Sequence, residues 1–442
     1  MQFLTLSFSF RHHLIRSIAL MAGLLSGVCR ASSEPGPLNL RQLIAMAQRD
    51  NKDLQVARYG VQIGQARLLQ AGVLPNPRLE LSRSTDVAFR NEGEYTGAVG
   101  FNQQFPVAGR LLREKNVARV DIALAENEVV EAERRLAGEV ATNVYRILVI
   151  NQQMQSRTDL IAVEEKLAKT TRDRYKAAEV SELDVNTVKL DLQRLAQEQS
   201  LLENQRHTAS IALNTFVGRS VDAELVIEEP SPDATPLQSL KQLQILAFDT
   251  RPELRGAKLG VDRAQAQKEL ARSQRWEDWN VGVGVDQGKR VLTGLPPQRS
   301  DRALTVSLSI PLPLFNKNQG LIAEAEVTEM QASARIDALR WGIAAQVASA
   351  YAETSSLHEA LDRYREHLMP VSARNVQLAQ KGYSQGLVTV VEVVQAQRQQ
   401  AELNATYLTT LDQYFQALVR LRTATGDYLS SPPGARADAK EH

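Results

Sequence analysis

Residues 40–71, LRQLIAMAQRDNKDLQVARYGVQIGQARLLQA, recur 200 positions later as residues 240–271, LKQLQILAFDTRPELRGAKLGVDRAQAQKELA. Eleven of the thirty-two positions are identical without a gap, among them Leu43/Leu243, Ala47/Ala247, Leu54/Leu254, Ala57/Ala257, Gly60/Gly260 and Gln65/Gln265. Similarity sustained at one long offset marks a duplicated unit. The offset drifts to 205 at Pro106/Pro311 and to 208 from Tyr175/Tyr383 to Gly218/Gly426, through Val180/Val388, Val185/Val393 and Leu213/Leu421. Each half reads as helix, two strands, long helix, tight turn, long helix. The expected division is a first repeat over 32–220, a linker over 221–236 carrying Pro230, Pro232 and Pro236, a second repeat over 237–428, and a disordered tail over 429–442.

The four strand segments, 78–86, 95–105, 281–286 and 303–310, alternate with period two. In the last, Leu304, Val306, Leu308 and Ile310 face one way, and Thr305, Ser307 and Ser309 the other. Val281, Val283 and Val285 oppose Gly282, Gly284 and Asp286; Val99, Phe101 and Phe105 oppose Gly100, Asn102 and Gln104. Apolar outside with small or polar inside is the pattern of a lipid-facing barrel around water. A half-buried soluble sheet alternates too, but the strand count separates the readings. Four strands are too few to close, because membrane barrels need at least about eight. An open sheet in lipid leaves edge amides unpaired at several kcal/mol each. If these strands enter a membrane, several chains share one barrel, and three chains give twelve strands.

From 111 to 175 there is no proline and one glycine, Gly138. Helix over that length extends roughly 100 Å, far beyond a domain diameter. The return helix carries a seam at alternating spacings of three and four: Val185, Val188, Leu192, Leu195, Gln199, Leu202, Arg206, Ala209, Leu213, Phe216. Its partner runs Val393, Ala396, Gln400, Leu403, Tyr407, Thr410, Tyr414, Ala417, Leu421, Ala424. Both read as coiled-coil seams. Ser181-x-x-Asp184 and Thr389-x-x-Glu392 are capping boxes that restart a helix after a tight turn, and Gly386 supplies the left-handed residue such a turn needs. Asp184 and Glu392 are therefore read as caps, which leaves Glu179 and Glu182 as candidates for an acidic ring at an opening.

Composition narrows the function classes. Lys and Arg number 52 against 51 Asp and Glu, so no global field favours nucleic acid. The one cysteine, Cys29, excludes a disulfide framework and a thiolate metal cluster, and His358 and His367, nine apart, share no helix face. No Gly-x-Ser-x-Gly, Gly-x-x-x-x-Gly-Lys or HExxH occurs, so neither an enzyme nor a cofactor is expected. Residues 1–31 read as a secretory signal peptide: basic Arg11, His12, His13 and Arg16, an uncharged run over 18–28, and Ala31 at the cleavage position. Cleavage there removes three arginines and Cys29, taking the net charge from +1 to −2. The alternative, a lipid anchor on Cys29, places bulky Val28 where a small residue is expected. No later stretch is apolar enough for a transmembrane helix.

With duplicated halves, matched turns and the segments PNPRLELS (75–82), QQFPVAGR (103–110) and IPLPLFNKNQGLIAEAE (310–326), the chain resembles the TolC-type outer-membrane efflux channels. More narrowly, those three segments resemble the heavy-metal, cobalt–zinc–cadmium resistance (CzcC-like) branch. The resemblance implies a mainly α fold with membrane β: a homotrimer with a twelve-stranded barrel in outer-membrane lipid, continuous with a periplasmic α-helical coiled-coil barrel. It implies two protein partners, a periplasmic membrane-fusion adaptor and a proton-driven inner-membrane pump of the resistance-nodulation-division class. It places adaptor docking on the hairpin turns, often at Val-Gly-Leu. Here the second turn reads Gln385-Gly386-Leu387, followed by Val388, and the first reads Ala178-Glu179-Val180. The function expected is a passive conduit for heavy-metal cations. Two rivals stay open: a channel for drugs or other organic solutes, and a periplasmic coiled-coil adaptor or scaffold.

Overall fold

The computed structural model describes residues 37–88, 92–228, 238–292, 294, 296 and 298–426. The expected leader over 1–31 with Cys29, the prolines of the linker and the tail over 429–442 lie outside the described residues. The elements run α1 (Leu40–Asp50), α2 (Lys52–Gln70), β1 (Arg78–Thr85), β2 (Tyr95–Phe105), α3 (Arg110–Lys176) and α4 (Glu182–Phe216). The second set is α5 (Leu240–Thr250), α6 (Pro252–Ser273), β3 (Trp279–Lys289), β4 (Asp301–Ser309), α7 (Gln319–Arg363), α8 (Met369–Ser384) and α9 (Val390–Thr425).

The first helix of each half is broken, where the sequence predicts one continuous element. Asn51 and Arg251 both sit in extended backbone between two helices. Asn51 caps α2 by accepting from the Leu54 amide at 2.9 Å and donates to the Phe216 carbonyl at 3.0 Å. In the second half Pro252 opens α6, and a proline pushes the residue before it out of helical backbone. The second long helix is also interrupted. Its counterpart α3 runs unbroken for 67 residues, but a π-helical turn, Tyr364–Leu368, separates α7 from α8. Pro370 has no amide proton and its ring displaces the carbonyl four residues back, and the wider turn absorbs both effects. The linker is partly docked: Leu38 and Ile227 form a parallel bridge, with the Leu38 amide donating to Val226 at 2.9 Å. Leu225 and Ile227 pack on the core formed by Leu43, Ala47, Val140, Val144 and Leu213.

The four strands form one antiparallel sheet in chain order, β1-β2-β3-β4. β3 exceeds its expected span of 281–286 because β2 pairs with it over eleven residues, from Tyr95↔Lys289 to Phe105↔Trp279. One face carries the rows Leu81–Val99–Val285–Leu304 and Leu79–Phe101–Val283–Val306. These side chains lie open, with Leu304 72% and Val306 68% exposed. The other face carries Glu80, Asn102, Gly282 and Ser307, and Thr305 donates to Asp286. β1 and β4 each pair on one side only.

Ion pairs tie the start of β3 to α3 and join α3, α6 and α7 to one another. Arg110 donates to buried Asp278 at 2.7 Å, Arg113 pairs with Glu269 at 2.6 Å, Arg263 pairs with Asp121 at 2.5 Å, and Lys268 with Glu329. Farther along α3, buried Arg134 donates to the Thr423 carbonyl at 2.7 Å, to Glu131 at 2.7 Å and to Glu253 at 3.0 Å. Burial alone would raise the Glu253 carboxyl, but its bonds to Arg251 and Arg134 outweigh that and hold it below the usual carboxylate range. Arg134→Met leaves a carbonyl and two acids without their shared donor, and is expected to cost about 3 kcal/mol. Exposed Arg135, 3.6 Å from Glu131, should cost less than about 1 kcal/mol on conversion to Ala. Thermal unfolding of the detergent-solubilised variants checks both.

Candidate functional site: the hairpin turns

The two turns have one geometry. α3 ends with the Glu179 amide donating back to the Arg174 carbonyl at 2.9 Å, and Ala178 in left-handed backbone at φ 57°. α8 ends with the Leu387 amide donating to the Gly382 carbonyl at 2.8 Å, and Gly386 at φ 71°. Both are Schellman closures. The equivalent of Gln385-Gly386-Leu387 is therefore Ala177-Ala178-Glu179, one residue earlier than Ala178-Glu179-Val180. Alanine in that backbone is strained by its Cβ where glycine is not.

Each following helix starts from a reciprocal cap. Ser181 accepts from the Asp184 amide at 3.3 Å, and the Ser181 amide donates to the Asp184 carboxylate at 2.9 Å. Thr389 and Glu392 do the same at 3.4 and 2.6 Å. Val180 and Val388 are half-buried, and Leu387 projects with 75% exposure. Of the two acids left for a ring, Glu179 is engaged by Arg174 at 3.4 Å. Glu182 is exposed and opens α4, where the helix dipole favours a negative charge.

Residues that the sequence did not single out join the hairpins. The Arg174 guanidinium lies over the Tyr383 ring at 4.4 Å. Tyr383 packs with Leu167, Val188, Val390, Val393 and Val394. Farther from the turns, Arg398 of α9 donates to buried Asp191 of α4 at 2.5 Å, and Arg194 lies 3.7 Å from the same carboxylate. Glu164 of α3 is 3% exposed, with Oε2 unpartnered among the described residues. Burial first, and the Asp191 charge second, push its carboxyl up to about 7, against the pull of Arg398 and Arg194. The available signal was position: Asp191 immediately precedes the seam residue Leu192, and Tyr383 is a repeat identity. A cavity of about 720 Å³ opens between α3, α4, α8 and α9, and amides such as Gln153, Gln205, Gln380 and Gln400 contribute to its lining. Among the described residues no group of three or more His, Cys, Asp or Glu is placed to hold a metal, and no helix is long and apolar enough to cross a membrane.

Two outcomes check the turns and the buried acid. Ala178→Gly should stabilise the protein by about 1 kcal/mol and Gly386→Ala destabilise it by a similar amount. A carboxyl that binds its proton more tightly folded than unfolded supports folding at low pH, and that support fades as pH rises from 4.5 through about 7. Glu164→Gln should therefore change the unfolding free energy little at pH 5 and raise it above wild type progressively up to pH 8, by an amount on the order of 2–3 kcal/mol, read as a growing difference in melting temperature.

Comparison with known proteins agrees with this architecture. The cobalt-zinc-cadmium resistance protein CzcC of Cupriavidus metallidurans is 22% identical over 396 residues, covering 88% of this chain and 90% of its own. The pyoverdine export outer membrane protein OpmQ of Pseudomonas aeruginosa is 22% identical over 427 residues, covering 91% and 87%. A crystal structure of a membrane protein from Pseudomonas aeruginosa superposes with a TM-score of 0.70 at 18% identity, covering 88% of this chain and 92% of that one. The profile of the outer membrane efflux protein family matches residues 43–219 and 245–427. With both halves matched, the chain belongs to the outer membrane efflux protein family.

Proposed function

We propose that the chain is the outer-membrane channel of a tripartite efflux system, acting as a homotrimer and exporting heavy-metal cations. The observation that carries the channel reading is the sheet: two strand edges without partners and one face of exposed Leu, Val and Phe. Lipid tolerates that face, but it tolerates the edges only if β4 of one copy pairs with β1 of the next. Three copies give twelve strands, with the long helices continuing as a periplasmic tunnel. In this reading 32–220 and 237–428 are the two tandem repeats and 221–236 joins them.

Family membership makes the chain a conduit rather than an enzyme, located in the outer membrane with a periplasmic extension. Its partners would be a membrane-fusion adaptor and an inner-membrane pump of the resistance-nodulation-division class. The adaptor would meet the turns at Ala178, Glu179, Val180, Gln385, Gly386, Leu387 and Val388, and exposed Glu182 would lend weak cation attraction there. The metal reading is supported by the 75–82, 103–110 and 310–326 segments and by the likeness to CzcC. The equal identity to OpmQ, a pyoverdine export protein, favours, as a second reading, an organic solute.

Deleting the gene from its host should raise sensitivity to zinc, cobalt or cadmium. The wild-type chain should restore tolerance, and Leu387→Arg should not, although it still forms a trimer by native mass spectrometry. Unchanged metal tolerance with impaired pyoverdine or drug export would move the cargo to the second reading. A lone protomer in detergent would overturn the channel.

A further inference from the structure

The sheet register sorts the charges by face. On the face of exposed Leu and Val, the charged residues of the four strands are Arg83, Lys289 and Arg302, all basic. The opposite face carries Glu80, Asp286 and Asp301 beside a single base, Arg78. The three outward bases also share one end of their strands. β1 presents Leu79 and Leu81 and then Arg83; β3 presents Val281, Val283 and Val285 and then Gln287 and Lys289; β4, read toward the same end, presents Leu308, Val306 and Leu304 and then Arg302. That end leads into the hairpin connections 86–94 and 290–300, away from the helices. None of the three bases has an acidic partner among the described residues, and Arg83 and Arg302 are exposed.

On the barrel reading, which this inference depends on, the helices lie in the periplasm and the hairpin connections reach the outer leaflet. A base facing lipid is costly at the bilayer centre and nearly neutral at the headgroup level. Basic clusters bordering an apolar segment attract anionic headgroups, and arginine matches phosphate oxygens with paired donors. We infer that Arg83, Lys289 and Arg302 form a lipid-facing basic collar that binds the phosphate groups of outer-leaflet lipid headgroups.

The test uses the purified trimer in vesicles of phosphatidylcholine with or without phosphatidic acid as the phosphate-bearing probe, and native mass spectrometry to count retained lipid. Wild type should retain phosphatidic acid in preference to phosphatidylcholine. Arg83→Gln/Arg302→Gln should lose about tenfold of that preference, Arg83→Lys/Arg302→Lys should keep most of it, and Arg78→Gln on the opposite face should behave as wild type. Equal retention by wild-type and glutamine trimers would overturn the collar alone, as would displacement of the lipid by inorganic phosphate at equal concentration. A wild-type chain that is monomeric in detergent would overturn the barrel, and the collar with it.

Discussion

The unpaired backbone along β1 and β4 governs everything else in this chain. A sheet edge in water is only an aggregation hazard, but in hydrocarbon each open amide or carbonyl carries the full cost of lost hydration. The outward face of this sheet carries two full rows of Val, Leu and Phe that are about half exposed or more, from 49% at Val283 to 72% at Leu304. The inward face is built mostly from Gly, Ala, Ser and Thr with Asn102, Gln104, Asn280 and four charged residues, and Gly100 lies opposite Gly284. A Cβ on Gly284 would stand 3.2 Å from the Gly100 Cα. This sheet therefore has no side-chain core of its own, and in the proposed barrel its edges would be satisfied by closure with other copies.

A sheet without a core rests on the helices that flank it, and ion pairs fix those helices to one another and to the start of β3. Arg110 to Asp278, Arg113 to Glu269, Arg263 to Asp121 and Lys268 to Glu329 run from α3 through α6 to α7. The first three cross between the halves and the fourth joins two helices of the second half, so the duplicated units share one helical base. Arg134 extends the join to α9 through the Thr423 carbonyl. Exposed ion pairs contribute little singly, but Arg134 and Asp278 are buried, where loss of one partner strands the other.

Periodicity carried most of the fold into view. The strand alternation, the seams and both capping boxes depend on local spacing, which sequence records directly. The features that were not legible are those set by neighbours distant in the chain. The break at Asn51 depends on the Phe216 carbonyl, 165 residues away. The length of β3 follows from the eleven-residue edge that β2 offers it. The docking of 225–228 depends on Leu38. At the turns the one-residue shift from Ala178-Glu179-Val180 has no local signature, because the first turn fills its left-handed position with alanine instead of glycine. The burial of Glu164 beside Asp191, Arg194 and Arg398 is likewise set by neighbours distant in the chain, whereas the engagement of Glu179 by Arg174 follows from the turn that folds the chain back over five residues.

The two halves have diverged at the residues that join the hairpins. Within one chain the join uses Arg174 over Tyr383, Arg398 on Asp191, and buried Glu164. At the 208-residue offset the counterparts of Arg174, Glu164, Asp191 and Arg398 are Gly382, Ser372, Gln399 and Leu190, none of them charged. Tyr383 is 6% exposed while its counterpart Tyr175 is 44% exposed. A ring built from three such chains would alternate two unlike seams, one inside each chain with the Arg174–Tyr383 and Arg398–Asp191 contacts and one between chains where Gly382, Tyr175, Gln399 and Leu190 stand at those positions. Neutral side chains shed little hydration energy on sliding, whereas moving Arg398 off Asp191 would leave a buried carboxylate with only the longer 3.7 Å contact to Arg194. Relative movement of the hairpins in the proposed trimer would therefore concentrate at the seams between copies, and each chain's pair of hairpins would travel as one body.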